Sequence, residues 1–453
     1  MTVSTRQLDA ISGKVIWPDS PEYDKARTVM RGDVDKRPAV IVQVEGSDAI
    51  RRVIDLARET GLELAVRSGG HSSAGHSATE GGIVLDVRRL KSLEFAADDS
   101  TVWAGAGLTA AEVTQAAWDR RRLIGFGDTG SVGIAGLTLG GGVGYAVRKY
   151  GLTIDNLLAV EIVTADGQLL MADEANHPDL FWALRGGGGN FGVATRFRYR
   201  LQPVDTFVGG MLILPATAET IAGFIAAAES APEELSTIAN VMNCPPFPMV
   251  PEEVVGKTVI FGLLAYFGDA EAGQRALAPF RALGQPYADL LAESPYPSIY
   301  GPEDDSYRPK AIDHVFFMDH VGASEAQAML DAIESSDSAL RAVQLRVLGG
   351  AMARVPVDAT AFAHRQARIM AIVVNFYEGD DDFTIRAAWT RDLSARLEQG
   401  VPGAYVNFIR EDNDAAVRSA YPGPHYDALA HIKKRYDPGN LFRLNQNVPP
   451  AIG

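Results

Sequence analysis

His71 is the residue whose setting most invites chemistry: it follows two glycines in VRSGGHSSAGHS. An imidazole thus stands directly after a turn whose backbone amides can approach an anion with no side chain in the way. Three further segments before residue 193 are also crowded with glycine: GAG at 105–107, GDTGSVGIAGLTLGGGVG at 127–144 and RGGGGNFG at 185–192. Amide-lined loops of this kind suit the phosphates of a dinucleotide. Two matches to the pattern G-x-G-x-x-G/A occur, GAGLTA at 105–110 and GFGDTG at 125–130. A Rossmann site of that type wants an acid about 20 residues further on to hold a ribose. After GAGLTA that distance falls near Asp128, inside another glycine loop, so tight turns are the better reading of both. A metal centre at His71 and His76 is no better, because no carboxylate or third histidine lies at ligand spacing. The single cysteine, Cys244, allows neither a cysteine-built zinc site nor an intrachain disulfide, which fits a reducing compartment.

The segments between these loops alternate short strands with helices. PAVIVQV is β-branched and bounded by proline; Ser47 is expected to cap the apolar-periodic DAIRRVIDLARET, with Gly61 as its stop. LELAVR and IVLDV read as strands on either side of the His71 loop, and TVWAGAG followed by LTAAEVTQAAWDR repeats the order strand, loop, helix. LAVEIVTADGQLLMA predicts a hairpin turning at Asp166-Gly167. NHPDLFWALRG is helical and FGVATRFRYRLQPV an alternating strand. From about 206 to 403 the pattern shifts to longer helices, such as TAETIAGFIAAAESA and AEAGQRALAPFRALG, between apolar strands, such as TVIFGLLAYF and IMAIVVNFY.

At 453 residues the chain exceeds the roughly 250 to 300 at which one core stops growing, so at least two domains are expected. The balance of 47% hydrophobic and 22% charged residues is that of a globular protein with a sizeable core. A net charge of −15 argues against nucleic acid or an anionic membrane as partner. MTVSTRQLDAISGKVIWPDS lacks the basic start and apolar run of a secretory leader, and no stretch reaches 18 uninterrupted apolar residues, so a cytoplasmic location is expected.

Four segments, in order, carry a family resemblance: VRSGGHSSAGHS with IVLDV, GDTGSVGIAGLTLGGGVGYAVRKYGLTIDNLLAVEIVTADG, FWALRGGGGNFGVATRF, and the tail IKKRYDPGNLFRLNQNVPP. Together they resemble the berberine-bridge-enzyme-like FAD oxidoreductases of the vanillyl-alcohol-oxidase fold. The resemblance runs from about residue 36 to 450 and is thinnest between 206 and 403. It implies an α+β protein with a PCMH-type FAD-binding domain at 1–205, its core about 36–203. A substrate domain at 206–403, an antiparallel sheet covered by helices, would follow, and 404–453 would return to the FAD domain. It also implies that His71 is joined covalently to the 8α carbon of the flavin. Arg67, Ser68, Gly69 and Gly70 would cradle the pyrophosphate together with Gly130, Gly133, Gly136, Gly140, Gly141 and Gly144, and Ser72, Thr129, Ser131 and Val132 would also contact the cofactor. Gly192 and Val193 would contact the adenine end, and Asn445 and Gln446 would fix the tail against the flavin domain.

Two positions depart from the family pattern. Many members carry a second link from a cysteine eight residues before a histidine, and here Thr129 and Leu137 stand at those places. Threonine cannot form the thioether, so a single covalent bond is expected. Val132 matches the position associated with oxygen access, which favours an oxidase that yields peroxide over a dehydrogenase with another acceptor.

For the base, AYVNF at 404–408 resembles the family's Tyr-x-Asn element. Alternation along a strand would put Tyr405 and Asn407 on one face. A free tyrosine titrates near ~10, so the role needs neighbours that stabilise phenolate. Packing across a sheet is an equal alternative for Tyr405. Tyr377, ending VVNFY, is a lesser candidate, and His364 and Arg365 are further substrate contacts or loop anchors. The expected substrate is a small alcohol, such as a sugar or secondary metabolite, or an amine, with O2 as co-substrate; a flavin-binding protein without turnover is the alternative. Monomer and homodimer are both compatible with the sequence.

Overall fold

The computed structural model describes residues 8, 11–302, 304, 306–411 and 413–452. The first residues of the stretch read for a secretory leader lie outside them. Among the described residues no helix is long and apolar enough to cross a membrane.

The front of the chain builds two small sheets of four and five strands, besides a two-stranded pair of Arg122–Leu123 with Gln202–Pro203. In the first, β1 (Gly13–Ile16), β2 (Val40–Val44), β3 (Leu64–Arg67) and β4 (Ile83–Asp86) lie in the order β1-β2-β4-β3, with β4 parallel to both β2 and β3. The parallel pairing is possible because α1 (Ser47–Thr60) crosses over between β2 and β3. Its Ile50, Val53, Ile54 and Leu56 are buried, each side chain stabilising by about 1.5–3 kcal/mol. Gly61 ends the helix at φ 69°, as expected. Ser47 does not cap it: Gly46, fully extended, takes the cap position and Ser47 is already helical.

The second sheet is antiparallel. β5 (Leu93–Phe95), β6 (Thr101–Gly105), β7 (Leu157–Val163), β8 (Leu169–Ala172) and β9 (Val193–Arg200) stand in the order β5-β6-β9-β7-β8. The turn between β7 and β8 is the expected one, with Gly167 at φ 82°. α2 (Ala110–Trp118) follows β6, opened by a reciprocal capping box between Thr109 and Glu112. GAGLTA is therefore a strand-to-helix turn; a Cβ on Gly107 would stand 2.3 Å from Val87 O, which is the need that glycine meets there.

Residues 207–376 form one larger sheet. Its main strands are β10 (Phe207–Pro215), β11 (Leu235–Asn243), β12 (Thr258–Phe267), β13 (Ala311–Met318), β14 (Arg341–Val347) and β15 (Ile369–Phe376), in the antiparallel order β10-β12-β11-β14-β15-β13. Helices at Ala218–Ser230, Ala270–Arg281, Ala323–Ser335 and Asp380–Leu397 pack Phe224, Phe280, Met329 and Leu393 onto one face, against Val343, Leu345 and Val373. The other face carries Val315, Phe317 and Met370 into the core of the front half, shared with Tyr405 and Phe362. The molecule is an α+β protein, with this sheet laid against the glycine-rich half.

Candidate active site

A cavity of about 340 Å³ opens between the glycine loops and the tail. The His71 loop supplies Ser68, Gly69, Gly70, His71 and Ser72 to its wall; the long glycine loop supplies Thr129, Val132, Gly133 and Gly136. Those two loops touch. A Cβ on Gly69 would stand 2.2 Å from Gly133 N, and one on Gly133 would stand 2.2 Å from Gly69 N and from Ser68 Oγ. The contact exists only because both positions lack a side chain. It brings Ser131 Oγ to 3.0 Å from His71 Nε2.

The wall suits FAD. Gly136 lies in α3 (Ile134–Leu139), where a Cβ would meet no protein atom within 4 Å, so its open side is the cavity itself. Gly188, Gly189 and Gly192 extend the same bare backbone wall, and Leu64, Val66, Leu139 and Phe442 give it apolar surface. Bare amides for phosphates next to hydrocarbon for a flat ring are what a flavin dinucleotide requires. His71 is the imidazole facing that space from the first loop, and His76 stands further along the same wall.

The tail closes the far side. Lys433, fully buried, donates to Asn190 O at 2.6 Å, Phe442 O at 2.9 Å and Asp437 at 2.7 Å, and burial pulls its pKa down to about 8. Asn190 in turn donates to Gln446 O and accepts from Val448 N. Asn445 and Gln446 line the cavity.

Tyr405 also lines the cavity, although 2% exposed, and its hydroxyl is crowded with donors. Gly142 N lies at 3.0 Å, Val143 N at 3.3 Å and Asn407 Nδ2 at 2.9 Å. Burial pushes the phenol's pKa up, while Asn407, the two amides and the charge of Arg346 oppose that rise. The expected strand is absent here. Val406–Phe408 is a single 3-10 turn, and Tyr405 and Asn407 meet because both bond to the glycine loop, Asn407 also donating to Leu137 O at 3.1 Å.

Several sequence-derived assignments need correction. The Arg67 guanidinium turns inward to the carbonyls of Ala26, Ser77 and Arg27, and burial lowers its pKa to about 10; it holds the loop rather than facing the cavity. Gly130, Ser131, Gly140, Gly141, Gly144 and Val193 lie behind the wall. Gly140 and Gly141 make room for Asn407 and Phe362, a Cβ on Gly144 would collide with Phe126 O, and Val193 is core in β9. Tyr377 is outside the site, donating to Asp33 at 3.3 Å in a cluster with Arg410. His364 and Arg365 are anchors: His364 bonds Ala420 O and Arg365 pairs with Asp155 at 2.8 Å.

The sequence did not single out Arg346, Gln344 and Asn240. Arg346, 4% exposed, pairs with Asp128 on the cavity wall at 2.5 Å and lies 5.2 Å from the Phe408 ring. The available signal was the alternation of polar Gln344 and Arg346 in the otherwise apolar strand AVQLRVL.

Comparisons with known proteins agree with this arrangement. A family model described as an FAD binding domain matches residues 38–173, and one described as berberine and berberine-like matches 404–449. (R)-6-hydroxynicotine oxidase of Paenarthrobacter nicotinovorans is 29% identical, over 97% of each chain. The uncharacterised FAD-linked oxidoreductase YvdP of Bacillus subtilis is 30% identical, over 97% of this chain and 99% of that one. Among solved structures, the glucooligosaccharide oxidase of Acremonium strictum, which carries a 6-S-cysteinyl, 8α-N1-histidyl FAD, superposes with a TM-score of 0.85 at 22% identity, over 97% of this chain and 98% of that one. The chain belongs to the berberine-bridge-enzyme-like FAD-linked oxidoreductases, a family of enzymes.

Proposed function

We propose that this enzyme oxidises a small organic substrate at a carbon bearing oxygen or nitrogen, with FAD joined through His71 alone and O2 as final acceptor. The observation that carries the reading is that His71 and Tyr405, whose hydroxyl is crowded with donors, line one cavity. When bound, FAD supplies the hydride acceptor and the route by which two electrons reach O2 to give H2O2.

The protein's part is to hold the substrate and take its proton. Tyr405 Oη, as phenolate, accepts the proton of the substrate's hydroxyl or amine as the hydride leaves carbon. The N–H groups of Asn407, Gly142 and Val143 hold the charge on that oxygen, each such bond to a charged group contributing about 1.5–3 kcal/mol. His71 is the nucleophile for attachment. Thr129 on the wall offers a hydroxyl, and Cys244 is buried in the substrate domain among Ile213, Met242 and Val259, so no thiol is placed for a second bond. Val132 keeps a small side chain on the wall, in keeping with access for oxygen.

Acid precipitation of the purified protein tests the attachment. Yellow colour should stay in the pellet of the native protein and pass to the supernatant for His71→Ala. Colour retained by the variant's pellet assigns attachment to another residue. Peroxide formed in stoichiometric yield with product under air supports the oxidase; its absence alongside turnover with an artificial acceptor makes the enzyme a dehydrogenase.

A further inference from the structure

The helix-free face of the large sheet carries two rows of side chains beside the cavity, touching its wall where Arg346 meets Asp128 and Phe408. One runs Met211, Leu263, Ile238, Arg346, Met370, Phe317; the next runs Ile213, Phe261, Asn240, Gln344, Ile372, Val315. The rows are apolar except for Arg346, Asn240 and Gln344 near their middle. Met211, Leu263, Phe261, Asn240, Gln344 and Ile372 are only half-buried, so the centre of the face is partly exposed, whereas the β13 end is packed into the core. Arg346 fixes this face at the cavity through Asp128 and Phe408, which both line it.

The three polar side chains form one directed string. Arg346 has only donors, and its Nε and Nη2 both give to Gln344 Oε1, at 2.9 and 2.6 Å. That sets the orientation of the Gln344 amide, whose Nε2 gives to Asn240 Oδ1 at 2.9 Å. Asn240 is oriented in turn and its Nδ2 gives to Phe261 O at 3.2 Å. Each amide nitrogen carries two hydrogens and uses one in these bonds. Among the described residues the second hydrogen of each has no protein acceptor, and both stand on the half-open strip.

We propose that this strip selects a flat, largely apolar ring substrate bearing a hydrogen-bond acceptor, such as a ring nitrogen or carbonyl, and disfavours oligosaccharides. The inference rests on reading the facing cavity as the flavin site. A sugar brings several hydroxyls, each donor and acceptor. Laid on Leu263, Phe261 and Ile372, a hydroxyl left without a partner loses about 1–3 kcal/mol. A ring with one acceptor loses nothing on the hydrocarbon and meets the outward N–H of Gln344 or Asn240. The string is polarised from Arg346 outward, so the site offers donors rather than acceptors, which sets the sign of the preference.

Three probes test this by calorimetry on the purified flavoprotein at neutral pH: quinoline, its hydrocarbon isostere naphthalene, and cellobiose. Quinoline should bind about tenfold tighter than naphthalene, the factor that 1.4 kcal/mol makes, and cellobiose more weakly than either. In Gln344→Leu and Asn240→Leu the advantage of quinoline should shrink while naphthalene binding holds. Cellobiose binding tighter than quinoline, or equal affinity for quinoline and naphthalene in the native protein, overturns the proposal, and that ranking needs no variant to fold. A colourless protein would instead defeat the flavin reading itself, which the acid-pellet assay reports independently of the probe ranking.

Discussion

Asn407 donates to the Tyr405 hydroxyl at 2.9 Å, although only one residue separates them and no strand places them side by side. The geometry depends on Gly140, where a Cβ would stand 2.0 Å from Asn407 Oδ1. Burial raises the pKa of Tyr405 and the Asn407 amide opposes that rise. Tyr405→Phe should slow anaerobic flavin reduction by ~10²-fold or more. Asn407→Leu removes one donor from phenolate, so the pH at which reduction is half-maximal should move up. An unchanged rate in the first variant, or an unmoved profile in the second, removes Tyr405 from the role of base.

The contact of Gly69 with Gly133 separates two uses of glycine. Gly133→Ala puts a methyl 2.2 Å from Gly69 N, so the loops must part, at a cost of about 1–3 kcal/mol. Gly136→Ala meets no protein atom and sits in a helix, where alanine is favoured by about 1 kcal/mol. The first variant should unfold earlier in urea. The second should hold or gain stability yet purify with less flavin per chain, read from the ratio of visible to ultraviolet absorbance.

Arg67 predicts a stability effect without a chemical one. Its guanidinium donates to the carbonyls of Ala26, Ser77 and Arg27. Arg67→Met should destabilise by about 2–4 kcal/mol in urea unfolding, because buried acceptors lose their donors. The turnover rate per bound flavin should stay near that of the native enzyme; a collapse of that rate with stability intact would return Arg67 to the cofactor.

His364 gives a pH dependence of defined sign. Its pKa falls from 6.5 to about 4, first because it is buried and also because His425 is near. Between those values the unfolded chain binds the proton that the fold refuses. The stabilisation is therefore complete above about 6.5 and is lost as pH falls toward 4, on the order of 3 kcal/mol at 1.36 kcal/mol per pKa unit. His364→Gln should flatten the stability profile in that window relative to the native protein. Identical slopes in urea titrations of the two proteins would discard the assignment.

The chain's own sequence determined the parts that depend on local backbone demands. Glycines at 69, 133 and 136 mark places where backbone must come bare to a neighbour or a cavity, and that demand is written at each position, so the bare loop wall around His71 was readable. The hairpin at Asp166-Gly167, the helix stop at Gly61 and the strand periodicity were readable for the same reason. Tertiary structure alone decided which side chains face each other across the sheet. Arg346 and Asp128 are 218 residues apart, and nothing near either one announces the pair. Arg67 was misread because a guanidinium beside a glycine loop can turn to phosphate or to buried carbonyls, and packing chooses. Tyr405 and Asn407 were placed together for the wrong reason: a two-residue period fits a strand, but three N–H donors from the glycine loop and Asn407 converge on one phenol and hold a turn. Local conformation is fixed by neighbours in the chain, whereas register, burial and the direction of a long side chain are fixed by what folds against it.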